Sequence, residues 1–164
     1  MVGTLLIYER SSALKKDILY LVIPCYNEEE VLPETSKRLK GKIGDMISAG
    51  TISEKSRIVF VDDGSKDETW ALIDRYHQAD PLFSGVKLSR NKGHQNALMA
   101  GLMTVKDQAD MVISLDADLQ DDIGVIDKFV EEYYGGSDVV YGVRSSRKTD
   151  TFLKGPQPWG FIDL

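Results

Sequence analysis

The sequence predicts an α/β protein built on an open, mainly parallel sheet with helices on both faces. Three observations carry that expectation. Five short apolar runs, most of them rich in Val and Ile, are spaced between Asp17 and Gly142, and such runs fit strands buried on both faces, as parallel strands are. Amphipathic stretches of helical period lie between them. Each run ends in a polar or turn-forming cluster, the punctuation expected of βαβ units joined by right-handed crossovers.

The elements follow in order. Ile18–Ile23 (ILYLVI) is the first strand, stopped by Pro24. Leu32, Leu39, Ile43, Met46 and Ile47 then recur on one helical face, against which only Gly41 and Gly44 count. Arg57–Val61 (RIVFV) is the second strand, stopped by Asp62-Asp63-Gly64-Ser65. Asp67 reads as the N-cap of a helix carrying Trp70, Leu72, Ile73 and Tyr76. A weaker third strand closes at Val86–Leu88, and Leu98, Leu102 and Val105 mark the next helix. Met111–Leu115 (MVISL) is the fourth strand, stopped by Asp116; Ile123, Ile126, Val130 and Tyr133 give the fourth helix; Asp138–Tyr141 (DVVY), stopped by Gly142, is the fifth strand. Residues 1–16 are read as an N-terminal arm, 17–150 as the domain and 151–164 as an atypical tail. In that tail Lys154-Gly155-Pro156-Gln157-Pro158 breaks any helix and no further strand is expected.

Composition narrows the function classes. The chain has 164 residues, 42% hydrophobic and 28% charged, which suits one globular domain with a sizeable core and excludes a disordered or fibrous protein. Twenty Lys+Arg against 26 Asp+Glu leave a net charge of −6. No cation surplus exists to coat a nucleic acid, so none is expected as partner, although a local basic pocket for one nucleotide is compatible. The single cysteine, Cys25, cannot pair internally and suggests a reducing compartment. No apolar run approaches a membrane span, and no basic segment precedes the apolar residues of Met1–Tyr8, so a cytoplasmic chain is expected.

In an open α/β sheet, ligands bind outside the carboxyl ends of the strands. The chemistry-bearing residues gather there. Asp116 and Asp118, two apart just past a strand, can share a divalent cation with Gln120 adding a neutral oxygen. Hard oxygen ligands suit Mg²⁺ or Mn²⁺. The alternative is a strand-end turn with an aspartate capping the next helix. Asp62 and Asp63 can accept hydrogen bonds from a base or ribose, with Tyr26 and Glu28 on the neighbouring strand end; by itself Asp-Gly is an ordinary turn. Arg90, Lys92 and Arg144 are cations placed to pair with diphosphate oxygens, or else solvated surface charges. Gly93 lets backbone approach closely, and the following helix N-terminus favours anions. His94 reads as a polar residue of that N-terminus more than as a base. Cys25 reads as packing, and Trp70 and Tyr76 as a core-facing stripe.

VIPCYNEEEVL (22–32), FVDDGSKDET (60–69), LSRNKGHQNALMAGL (88–102), LDADLQDD (115–122) and VVYGVRSSR (139–147) resemble, in this order, the family 2 glycosyltransferases of GT-A fold. The likeness is nearest the branch of dolichol-phosphate mannose synthases and bactoprenol glucosyltransferases. The resemblance implies that Pro24, Tyr26, Glu28 and Asp63 hold the nucleoside. It also implies that Asp116, Asp118 and Gln120 bind the metal and that Arg144 contacts the diphosphate. It further implies a UDP- or GDP-sugar donor, attack at the anomeric carbon with inversion, and a polyprenyl-phosphate acceptor at the cytosolic face of a membrane. Such an acceptor is largely ionised at neutral pH, its second pKa being about 6, so no general base is required. The likeness fades after Arg147–Asp150, and Thr151–Leu164 reads as a substituted tail, as from a truncation or frameshift. The donor half is expected present and the acceptor half mostly absent. An exposed sheet edge can then drive homo-oligomerisation.

Two other classes compete. A binding-only module would hold nucleotide without transfer. A haloacid-dehalogenase-type phosphatase also uses Asp-x-Asp, but after its first strand, whereas here the motif follows the fourth. A dinucleotide-binding oxidoreductase is excluded by the lack of G-x-G-x-x-G after the first strand.

Overall fold

The computed structural model describes residues 16–118 and 122–143, together with the backbone of 160–163. Its order is β1 (Leu19–Cys25), α1 (Leu32–Ser48), β2 (Arg57–Asp62), α2 (Thr69–Ala79), β3 (Phe83–Lys87), α3 (His94–Val105), β4 (Met111–Ser114), α4 (Val125–Tyr134), β5 (Val140–Val143) and β6 (Gly160–Asp163). β1 to β4 form one parallel sheet in the order β3-β2-β1-β4. The α/β sheet and its helices agree with the sequence reading.

Strand alternation assigns the two faces. Leu19, Leu21, Ile23, Ile58 and Phe60 point into a core closed by Leu39 and Ile43 of α1, Ile73 of α2 and Ile126 of α4. Val22, Val59 and Val61 point the other way, against Ala97 and Val105 of α3. The apolar runs look continuous because both faces are covered. The chain steps from β1 out to β3 and then crosses back past β1 to β4, so α3 must lie opposite α1 and α2. Gly101 lets α3 approach closely: a Cβ there would lie 2.5 Å from Val22 Cγ1 and 2.8 Å from Val61 Cγ2.

Four expectations are corrected. Pro24 does not stop β1, which runs on to Cys25 with Pro24 opposite Val61. The last β4 partner is Ser114, opposite Val22, and the missing Pro24 N–H faces the side where β4 has already ended. The fifth strand does not join the main sheet among the described residues; β5 pairs in parallel with β6. β6 itself was not expected, because four residues behind a Pro-Gly-rich stretch show neither alternation nor an apolar run. Asp67 is not the N-cap of α2; Glu68 is, while Asp67 accepts from the Thr69 amide one residue further on. Among the described residues no helix is long and apolar enough to cross a membrane. The arm of residues 1–15 and the tail up to 159 lie outside the described residues.

Candidate donor and cation site

The sheet order reverses between β1 and β4, and such a switch point opens a crevice at the strands' carboxyl ends. β1 delivers Pro24, Tyr26 and Glu28 to it, and β4 delivers Asp116 and Asp118. β2 and the loop after β3 supply the adjoining wall. Pro24, Cys25, Tyr26, Glu28, Asp63, Asn91, Gly93, His94 and Ala97 enclose a hollow of about 200 Å³. That is below the roughly 300–1,000 Å³ of most small-molecule sites, so it suits one part of a larger ligand. A hollow of about 440 Å³ runs along the outer edge of β4 beside Phe129, Tyr133 and Tyr141, but none of the described residues of the β1–β4 end loops lines it.

Backbone bonds tie the end loops together. Asn27 sits at φ 56°, a left-handed conformation that Asn tolerates, and turns the chain out of β1. Its amide donates to Ser65 Oγ at 2.9 Å and its Oδ1 accepts from the Lys66 amide at 2.9 Å. The Glu28 amide donates to Thr69 Oγ1 at 2.8 Å, the Glu29 amide to Asp67 Oδ2 at 3.1 Å, and the Glu68 amide to Glu29 Oε2 at 2.8 Å. Burial opposes ionisation of Asp67, but the bonds from Thr69 and Glu29 outweigh it and hold the carboxyl below its usual range. These five contacts make one clasp of two loops, positioning Glu28.

Asp63 makes a second clasp. Its Oδ1 accepts from the Lys92 amide at 2.6 Å and its Oδ2 from the Gly93 amide at 2.8 Å. Gly64, at φ +70°, presses the same loop: a Cβ there would lie 2.5 Å from the Arg90 carbonyl carbon and 2.6 Å from the Asn91 nitrogen. Asp62 is fully buried; its Oδ1 accepts from the Ser65 amide at 3.1 Å, while its Oδ2 has no hydrogen-bond partner among the described residues. The two aspartates therefore differ: Asp62 shapes the turn, and Asp63 lines the hollow while anchoring its opposite wall. Arg90 and Lys92 stand exposed on that anchored loop.

On the β4 side, Ala117 is buried, while Asp116 and Asp118 are exposed on either side of it. Burial raises the pKa of Glu28, and the negative charges of Asp118, Asp67 and Asp116 raise it further. Such a field favours a cation. His94, the first residue of α3, has Nε2 3.9 Å from Asp116 Oδ1, beyond hydrogen-bond range and with both side chains exposed. Cys25 is buried, and burial with the nearby charges of Glu28 and Asp62 pushes its thiol far up, so it is inert. Trp70 and Tyr76 pack against the core as expected.

The structure brings Pro24, Tyr26, Glu28 and Asp63 to one hollow and sets the charges of Asp116 and Asp118 beside Glu28. Gln120 and Arg144 lie outside the described residues. Among the described residues no three His, Cys, Asp or Glu side chains gather as a complete metal cage. Two exposed carboxylates in a negative field fit the open site of a hard cation whose remaining ligands are water and phosphate. Sequence reasoning missed Asn27, Ser65, Thr69 and Thr35, whose hydroxyls and amide serve the backbone.

The chain belongs to glycosyl transferase family 2, whose profile matches residues 20–162. It is 53% identical over 147 residues to the uncharacterized glycosyltransferase YkoT of Bacillus subtilis (strain 168), covering 90% of this chain and 44% of that protein. It is 40% identical over 136 residues to a prophage bactoprenol glucosyl transferase homolog of Escherichia coli (strain K12), covering 82% of this chain and 41% of the relative. The chain thus spans less than half the length of these relatives. Among solved structures, a mannosyltransferase from Pyrobaculum calidifontis in complex with GDP-Man and Mn²⁺ superposes with a TM-score of 0.53 at 22% identity, over 63% of this chain and 28% of that one. The shared fold is GT-A.

Proposed function

We propose that this family 2 member, through residues 17–150, forms the donor-binding portion of an inverting, metal-dependent hexosyltransferase that uses a UDP- or GDP-sugar and a polyprenyl-phosphate acceptor. The observation that carries this reading is the juxtaposition, at the β1/β4 switch point, of the Tyr26–Asp63 hollow with the carboxylates of Asp116 and Asp118. The named activities of the bactoprenol and mannosyl relatives support the substrate classes.

In this reading Pro24, Tyr26, Glu28, Asp62 and Asp63 form and brace the nucleoside pocket. Arg90, Lys92 and Arg144 pair with the diphosphate, and the α3 N-terminus adds backbone donors. Mg²⁺ or Mn²⁺ would be held by Asp116, Asp118 and Gln120, and when bound it offsets charge on the leaving diphosphate. The protein's own work is positioning: the two clasps keep the walls of the nucleoside pocket in a fixed relation, so little reorganisation is needed at transfer. The acceptor phosphate is already ionised, and no side chain has to remove a proton. A lipid acceptor places the reaction at the cytosolic face of a membrane. Any homo-oligomer contact is assigned to the outer sheet edges.

The test offers the purified chain UDP-glucose or GDP-mannose with Mn²⁺ and undecaprenyl phosphate, and follows labelled sugar into the lipid extract. Transfer with one donor, lost in Asp116→Ala, is expected. Metal-dependent donor binding without transfer, unaffected by added lipid phosphate, would favour a non-catalytic nucleotide-binding module.

A further inference from the structure

We propose that Thr35 is a positioning residue: its hydroxyl, presented from the first turns of α1, sets the backbone turn carrying Asp116 and Asp118 and thereby the site's affinity for a divalent cation. This rests on the metal-binding reading above.

Thr35 is buried on the core face of α1, between Leu32 and Leu39, where an apolar residue of the same shape would serve packing equally well. Its Oγ1 donates instead to the Ala117 carbonyl at 2.5 Å, across 82 residues of sequence. The position matters because β4 has already left the sheet. Its last rung is the Leu115 amide on the Val22 carbonyl at 3.3 Å, and Thr35 supplies a long-range anchor beyond it. Fixing the Ala117 carbonyl fixes the peptide plane that leads into Asp118. With Ala117 buried, Asp116 and Asp118 stand outward on either side.

The same helix end grips the other half of the site. The Val31 and Leu32 amides donate to the Glu28 carbonyl at 3.2 and 3.0 Å. One rigid helix start is therefore bonded both to the β1 end and to the Asp116–Asp118 turn. The spacing between them is a property of α1. Removing the hydroxyl frees one side of that bracket and leaves a buried carbonyl without its donor.

The experiment titrates the purified chain with Mn²⁺ alone, reading free metal by electron paramagnetic resonance well below every melting midpoint. Loss of such a supporting contact is expected to weaken Mn²⁺ binding about 10-fold in Thr35→Val. Thr35→Ala, which removes the same hydroxyl without branching, must match it. Thr35→Ser, which keeps the hydroxyl, stays near wild type. Ile43→Val, a packing change further along α1, lowers the melting temperature but leaves Mn²⁺ affinity intact. Wild-type affinity in both hydroxyl-less variants overturns the positioning role alone, as does an equal loss in Ile43→Val. A wild type that binds no Mn²⁺, indistinguishable from Asp118→Ala, overturns the cation site and this role with it.

Discussion

Gly64→Ala tests whether the β2 turn and the loop after β3 form one interlocked wall. Two costs arise. At φ +70° a side chain adds left-handed strain of about 1–2 kcal/mol. The new Cβ would also fall 2.5–2.7 Å from backbone atoms of Arg90 and Asn91, which cannot swing aside as a side-chain tip could. Overpacking of that kind costs about 1–3 kcal/mol. The sum is roughly 2–5 kcal/mol, or a fall of about 5–15 °C in melting temperature for a chain of this size. Gly93→Ala separates the two costs, because Gly93 has φ +88° but nothing within 4 Å of its would-be Cβ. With ψ at 151° it lies in a region essentially confined to glycine, so it should show strain alone, about 1–3 kcal/mol. Urea unfolding measures both variants, and amide exchange at Lys92 and Gly93 reports whether the Asp63 clasp has opened. A loss in Gly64→Ala of no more than the strain alone, about 1–2 kcal/mol, with those amides still protected, would refute the interlock.

Other perturbations follow from the same geometry. Asp63→Asn leaves one acceptor oxygen for two amides and should cost about 1–3 kcal/mol, with faster exchange of Lys92 or Gly93. In Gly101→Ala, overpacking against the stiff Val22 and Val61 side chains offsets a helix-propensity gain of about 1 kcal/mol, for a net loss of up to about 2 kcal/mol in urea melts. Burial and its acidic neighbours raise the Glu28 pKa, so the folded chain binds that proton more tightly than the unfolded chain. Its ionisation therefore works against folding: the penalty is present above the folded pKa and disappears as pH falls through it toward the ordinary carboxylate value. Glu28→Gln should flatten that part of the stability–pH curve. Bound Mn²⁺ would reverse the local field, so Mn²⁺ affinity should rise with pH through the Glu28 titration in wild type and less so in Glu28→Gln.

Much of this was readable from residues because parallel strands covered on both faces leave apolar runs no surface helix imitates. ILYLVI and RIVFV are β1 and β2 to within a residue or two at either end, and each is followed by the loop that builds the site. β3 is the hardest strand to read because its FSGVK core holds a Ser and a Gly; Gly85 is required there, since a Cβ would meet Ile73 Cγ2 at 2.6 Å. The pairing of β5 with β6 depends on a partner 20 positions away along a register that no local pattern encodes. At the site, residue types revealed the chemistry but not the division of labour. Asp62 and Asp63 look interchangeable in sequence, yet one is enclosed beneath the turn and the other faces the hollow. Thr35 reads as one more position on a helical stripe; its hydroxyl acquires meaning only when β4 brings Ala117 beside it.

The donor site is tested most simply by the melting temperature of wild type and Asp118→Ala with UDP and with GDP, each with and without Mn²⁺. A ligand confined to the folded state raises that temperature by mass action. A rise with one of the two nucleotides that requires Mn²⁺ and is lost in Asp118→Ala is expected. The same temperature in every mixture, or a nucleotide effect indifferent to both Mn²⁺ and Asp118, would contradict a metal-dependent donor site at the β1/β4 switch point.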